Sequence, residues 1–201
     1  MSYNPDIHYR RSIRLKDYDY SKSGAYFVAI CSRNRECIFG DVVDGEMRLN
    51  DFGQIVQKYW TWLPHQYKYV QLDEWSIMPN HLHGIVVIND DCRGGSRTAP
   101  TNIIKRKSLG RLIGAFKTVS TKQINLIRST PGVPVWQRNY YEHIIRNEEE
   151  LNRIREYITN NPLQWVEDEN NPVNMTAIVE LREIKDKIKI TKIGFRKGEE
   201  R

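Results

Sequence analysis

Cysteine is scarce in this chain, and its three residues, Cys31, Cys37 and Cys92, are odd in number and show no CxxC spacing. That pattern excludes a disulfide framework and a thiolate zinc knuckle, and it fits reduced thiols in the cytoplasm. Long apolar runs are missing as well. Nothing approaches the ~20 residues that span a bilayer, so no membrane partner is expected. The opening stretch, MSYNPDIHYRRSIRLKDYDY, lacks the apolar core of a secretory signal, and a cytoplasmic location is the expectation. A third absence is local. Residues 92–141 contain no acidic side chain, while Arg93, Arg97, Lys105, Arg106, Lys107, Arg111, Lys117, Lys122, Arg128 and Arg138 supply ten positive charges. Solvated surfaces normally mix signs, so a block of one sign points to a polyanion, most simply nucleic acid phosphate.

What is present suits one globular domain: 201 residues, 39% of them hydrophobic, can bury a sizeable core. The total charge of +6 adds little, because a modest basic excess serves solubility in many proteins. A basic arm at 1–24, with Arg10, Arg11, Arg14 and Lys16, is expected to precede a domain at 25–165 and an extension at 166–201.

Patterning gives the order of elements. Residues 25–31, AYFVAIC, are aromatic and β-branched and predict a strand. Asp44-Gly45 suits a type I′ turn between short strands at 37–43 and 46–49. Phe52, Ile55, Val56, Tyr59 and Leu63 recur at helical spacing, with Pro64 expected to stop that helix. Strands follow at 69–78 and 81–88, joined at Pro79-Asn80, and then a Gly/Ser/Pro-rich loop at 89–102. A second helix is predicted over 108–127, with Leu109, Leu112, Ile113, Phe116 and Ile127 inward, and a strand over 135–145. Strand, helix, strand, strand, helix, strand is the order of a ferredoxin-like split βαβ fold: an α+β class with an antiparallel sheet and two helices on one face. A further helix is signalled by Asn147 as N-cap, Glu148 to Glu150 at its positive end, and a stripe of Leu151, Ile154 and Ile158. A short helix near 177–188 is the last expectation.

Chemistry enters at WSIMPNHLHGIVVI, residues 75–88. Side chains two apart on a strand leave the same face, so His81 and His83 point together while Leu82 points away. That is half of a metal site, and on this stretch alone it reads more simply as two half-exposed histidines beside a turn. On the last helix Tyr157 and Asn161 stand four apart, one turn above each other. Their residue types suit a ring packed on the sheet and a C-terminal cap as well as a functional pair. Since Pro162 follows Asn161, that residue is expected in a frayed last turn.

RRSIRLKDYDYSKSGAYFVAICSRNRECIFGD, SIMPNHLHGIVVI, KSLGRLIGAFK and VWQRNYYEHIIRNEEELNRIREYITNNPLQW together resemble the HUH single-tyrosine transposases related to insertion-sequence enzymes, in their REP-associated branch. Four blocks in the right order cover roughly residues 10–165. The resemblance implies that His81 and His83 bind a divalent metal, Mg²⁺ or Mn²⁺, with the Asn161 amide as third ligand and Tyr157 as nucleophile. Asn161 is a departure, since the insertion-sequence relatives commonly carry the longer glutamine there. It implies cleavage and rejoining of hairpin-bearing single-stranded DNA through a 5′-phosphotyrosine, by a monomer or homodimer. Lys105, Arg106, Lys107, Arg111 and Arg138 would meet phosphates, Trp136, Tyr140 and Tyr141 would offer rings for unpaired bases, and His143 and Arg146 would lie near the scissile phosphate. A DNA-binding regulator of the same fold and a rolling-circle replication initiator are the competing readings.

Overall fold

The computed structural model describes residues 15, 17–90, 106–168 and 170–174. Lys105, Arg10, Arg11, Arg14 and Lys16 of the N-terminal arm, most of the 89–102 loop and the helix expected at 177–188 lie outside the described residues.

Among the described residues, six strands and three α-helices form the frame: β1 (Gly24–Cys31), β2 (Gly40–Val43), β3 (Glu46–Leu49), α1 (Asp51–Gln66), β4 (Val70–Met78), β5 (His81–Ile88), α2 (Leu109–Ile127), β6 (Tyr141–Ile145) and α3 (Glu148–Asn160). The main sheet runs β4-β5-β1-β6 with every neighbouring pair antiparallel, and β2 and β3 form a separate hairpin. This is the α+β, ferredoxin-like arrangement expected. Asp44 and Gly45 both take positive φ, 54° and 77°, which is the backbone a type I′ turn requires.

Strand alternation divides the side chains between two faces. Tyr26, Val28 and Ile30 of β1, with Leu82, Val86 and Ile88 of β5, enter the large core under α1 and α2. Gly84 belongs to that face, and a Cβ there would come 2.6 Å from the Trp60 ring, so glycine lets the indole lie against the strand. The opposite face carries Phe27 and Ile85, which α3 covers by inserting the fully buried Ile158. The histidines of β5 share this second face.

Several sequence expectations need correction. Pro64 does not stop α1, which continues to Gln66: in the last turn it removes one hydrogen bond, and the Tyr67 N–H still closes on the Leu63 carbonyl at 2.9 Å. Trp60, absent from the predicted stripe, is fully buried. Ile127 is 52% exposed, its expected core place being filled by Ile124 one turn earlier. The strand predicted over 135–145 is strand only from Tyr141, because residues 135–137 meet the chain at the end of β1 through one isolated bridge, Ser32 to Trp136, rather than a continuous ladder. Asn161 keeps helical backbone, φ −58° and ψ −41°, despite Pro162, since its side chain is buried and its N–H reaches the Ile158 carbonyl.

Among the described residues no helix is long and apolar enough to cross a membrane.

Candidate functional site

β5 starts at His81, so the pleat sends Leu82 into the main core and both imidazoles to the face beneath α3. Their ring centroids are 4.4 Å apart, and the two residues are buried, at 0% and 3% exposure. Asn80 sets the orientation of the first ring. Its Nδ2 donates to the carbonyls of Arg35 and Asn170, which turns Oδ1 toward the Nδ1–H of His81 at 2.8 Å. That bond leaves Nε2 of His81 as the lone-pair nitrogen. Nε2 has no hydrogen-bond partner, and neither has Nδ1 of His83 nor Oδ1 of Asn161, although all three atoms are buried.

An unmet buried polar atom costs about 1–3 kcal/mol, and these three belong to side chains able to hold a ligand. Burial drives the His81 pKa down to about 4, against opposing effects of Asp168 and the neighbouring Asn161 side chain. Burial, and then the nearness of His81, holds His83 well below the ordinary histidine value. Both rings are therefore neutral at pH 7, each with one lone-pair nitrogen. Two neutral imidazoles and an amide oxygen are donors that fit a hard or borderline divalent cation. Among the described residues no three His, Cys, Asp or Glu side chains form such a group by themselves, so the amide is essential to the fit.

α3 places Tyr157 beside His83. Its ring centroid lies 5.2 Å from that of His83 and 6.2 Å from that of Phe27, and the residue is 43% exposed. Three devices hold the helix. Asn147 caps it, accepting the Glu150 N–H at 2.8 Å. The Glu150 carboxylate accepts from the Arg146 N–H at 2.8 Å and meets His143 Nε2 at 2.7 Å, tying α3 to β6. Those bonds, that of Arg146 first, hold the Glu150 carboxyl below its usual range. Arg155 grips Asp73 on β4 through two hydrogen bonds. His143 and Arg146 thus support the helix from its N-terminal side.

The expected DNA contacts divide. Trp136 is corrected: it is 5% exposed, its indole N–H donates to Ser120 Oγ at 2.9 Å, and it packs on Phe39 and Phe116, so most of its ring belongs to the core and is not the open surface ring expected. Tyr140 is half-buried with the Lys117 ammonium 5.4 Å from its ring centroid, while Tyr141 is 50% exposed on the histidine face. Arg106 is engaged by Asp90 at 3.0 Å and by the Asn89 carbonyl, and Lys107 by the Tyr67 hydroxyl at 3.1 Å. Arg111 and Arg138 are exposed. Four contributors escaped sequence reading: Asn80, which adjoins His81 but reads as a turn residue; the Asp73–Arg155 pair; Trp165, whose ring centroid is 6.0 Å from that of His81; and Asp168, whose Oδ2 is 4.0 Å from His81 Nε2.

No family model matches the chain. A Haemophilus influenzae protein described as uncharacterized is 41% identical over 174 residues, spanning 83% of this chain and 96% of its own. The solved structure of a REP-associated tyrosine transposase bound to a REP hairpin is similar with a TM-score of 0.52 at 18% identity, over 76% of this chain and 74% of that one. At that identity the likeness is one of fold.

Proposed function

We propose that this chain, which belongs to one family with the Haemophilus influenzae protein and has the fold of a REP-associated tyrosine transposase, is a metal-dependent single-strand DNA transposase of the HUH single-tyrosine type. The observation that carries the reading is a set of three buried, unpartnered atoms, His81 Nε2, His83 Nδ1 and Asn161 Oδ1, on two imidazoles 4.4 Å apart and the side chain next to His81, with the Tyr157 ring 5.2 Å from that of His83.

Those three residues would hold Mg²⁺ or Mn²⁺, which when bound neutralises charge on the scissile phosphate. The Tyr157 hydroxyl, on a ring fixed by α3 against His83, attacks the phosphorus. The new Oη–P bond replaces the P–O3′ bond, and the phenolic proton ends on the released 3′-hydroxyl. A 5′-phosphotyrosine remains on the protein. Because the phosphodiester energy stays in that bond, attack by another 3′-hydroxyl rejoins strands without ATP. The Phe27 ring meets the Tyr157 ring edge-on at 6.2 Å between centroids, giving it an apolar neighbour on the sheet. The substrate in this reading is single-stranded DNA bearing a hairpin, bound by a monomer or homodimer.

The test is incubation with Mn²⁺ and single-stranded hairpin oligonucleotides, followed by a denaturing gel. A DNA-linked protein band is the expected result. Tight hairpin binding with no band at any metal or hairpin tried would favour the regulator reading.

A further inference from the structure

A cavity of about 790 Å³ lies on the α2 side of the sheet, between the second half of α2 and the segment 131–138. It is built rather than incidental, because that segment is pinned to the helix at both ends. Asn125 Nδ2 and Arg128 Nη2 donate to the Val133 carbonyl at 2.9 and 3.0 Å, and the Lys117 ammonium donates to the carbonyls of Gln137 and Asn139 at 2.8 and 3.0 Å. The two anchors, Lys117 and Asn125, are about 12 Å apart along the helix. Leu126, Pro131, Pro134 and Val135 give the cavity apolar walls, and Leu126 is 64% exposed. Lys122 and Arg138 line it as exposed cations, and among the described residues neither has an ion-pair partner.

We infer that this cavity binds an unpaired nucleotide of the DNA strand, its base between the apolar walls and its phosphates against Lys122 and Arg138. The inference rests on the transposase reading. Charge selects the occupant: no acidic side chain occurs in residues 92–141, so the rim repels nothing on a polyanion, whereas an acid-poor basic rim around a greasy floor suits the flat apolar faces and charged backbone of a nucleotide. The size lies within the range of small-molecule sites. Position agrees. The wall of the cavity is hydrogen-bonded to the end of β1, Gln137 N–H to the Cys31 carbonyl at 3.0 Å, and Cys31 is paired across the sheet with His81. Two strand spacings, about 10 Å, separate that wall from the backbone of His81, whose ring points to the opposite face of the sheet, so a strand engaging both must pass around the end of the sheet.

The experiment measures hairpin-oligonucleotide affinity by fluorescence anisotropy over a salt series, with the full chain. Leu126→Asp should weaken binding at least tenfold. The double variant Lys122→Gln/Arg138→Gln should reduce the logarithmic salt slope by about 1.4, two single-strand phosphate contacts at ~0.7 each. All three positions are exposed, so unchanged melting temperatures verify the fold. A 4-thiothymidine placed at an unpaired position should cross-link to the peptide containing residues 118–138. Binding within twofold of wild type in both variants, with cross-links elsewhere, overturns the inference. Loss of self-association in Leu126→Asp without change in DNA binding also overturns it, naming a second copy as the occupant. These failures are distinguishable from failure of the transposase reading, which would show as no phosphotyrosine adduct in the wild-type protein.

Discussion

Arg155 and Asp73 face each other as a two-pronged ion pair, Nε to Oδ1 at 2.8 Å and Nη2 to Oδ2 at 2.7 Å, joining α3 to β4 two residues before Tyr157. Asp73 sits where the β4–β5 register is broken between Leu72 and Trp75, and that irregularity aims its carboxylate at the helix. A lysine cannot reproduce both prongs. Arg155→Lys should therefore slow adduct formation roughly tenfold, about 1.4 kcal/mol on the barrier, with hairpin affinity unchanged. Single-turnover rates measured beside equilibrium binding check it; equal losses in both would mean a general loosening of the fold.

The same pair sets an acid limit. Hydrogen bonding to Arg155 holds the Asp73 carboxyl below its ordinary value. A depressed carboxylate contributes stability above its unfolded pKa of about 3.9 and loses it as pH falls through the folded value. Hydrogen-exchange protection of α3 should stay level from pH 7 to about pH 5 and fall below about pH 4. In Asp73→Asn that acid step should be smaller.

Metal should stabilise the folded chain through the His81, His83 and Asn161 atoms. At a hundredfold excess over its dissociation constant, Mn²⁺ adds about 2.7 kcal/mol, visible as a rise in melting temperature. His81→Ala should lose that rise and the adduct while keeping hairpin binding. Undiminished cleavage in excess chelator would contradict the assignment.

The basic block should prove heterogeneous. Arg106, held by Asp90 and the Asn89 carbonyl, acts within the fold, so Arg106→Gln should lower thermal stability and barely alter the salt slope of DNA binding. Arg111, exposed on α2, should do the reverse: Arg111→Gln lowers the slope by about 0.7 and leaves melting unchanged. Anisotropy titrations and melting curves on the two variants separate these effects.

What was legible in the sequence was local. The two-residue period places His81 and His83 together, and the Asn147 cap with its acidic first turn starts α3 where the structure has it. The βαββαβ order follows from such signals because each element is periodic by itself. What was hidden depends on contacts between distant segments. Trp136 looked like a surface ring because aromatic and polar residues alternate around it, yet its partner, Ser120, lies on a helix 16 residues earlier. Asp73 and Arg155 are 82 residues apart and neither stands in a motif. Asn161 read as frayed from its proline neighbour, but burial beside His81 overrides that local bias.

In the proposed reaction Tyr157 is the attacking group, and one hydroxyl tests it. Tyr157→Phe keeps the ring packing on Phe27 and His83, the three ligand atoms and the basic surface, so hairpin DNA should bind with near-native affinity. With Mn²⁺ and a hairpin oligonucleotide, the wild-type chain should give a denaturant-resistant DNA–protein band that mass spectrometry maps to the peptide containing Tyr157, and the Phe variant should give none. Tyr140→Phe and Tyr141→Phe should retain the band. Persistence of the band in Tyr157→Phe, or its mapping to Tyr140 or Tyr141, would contradict the account.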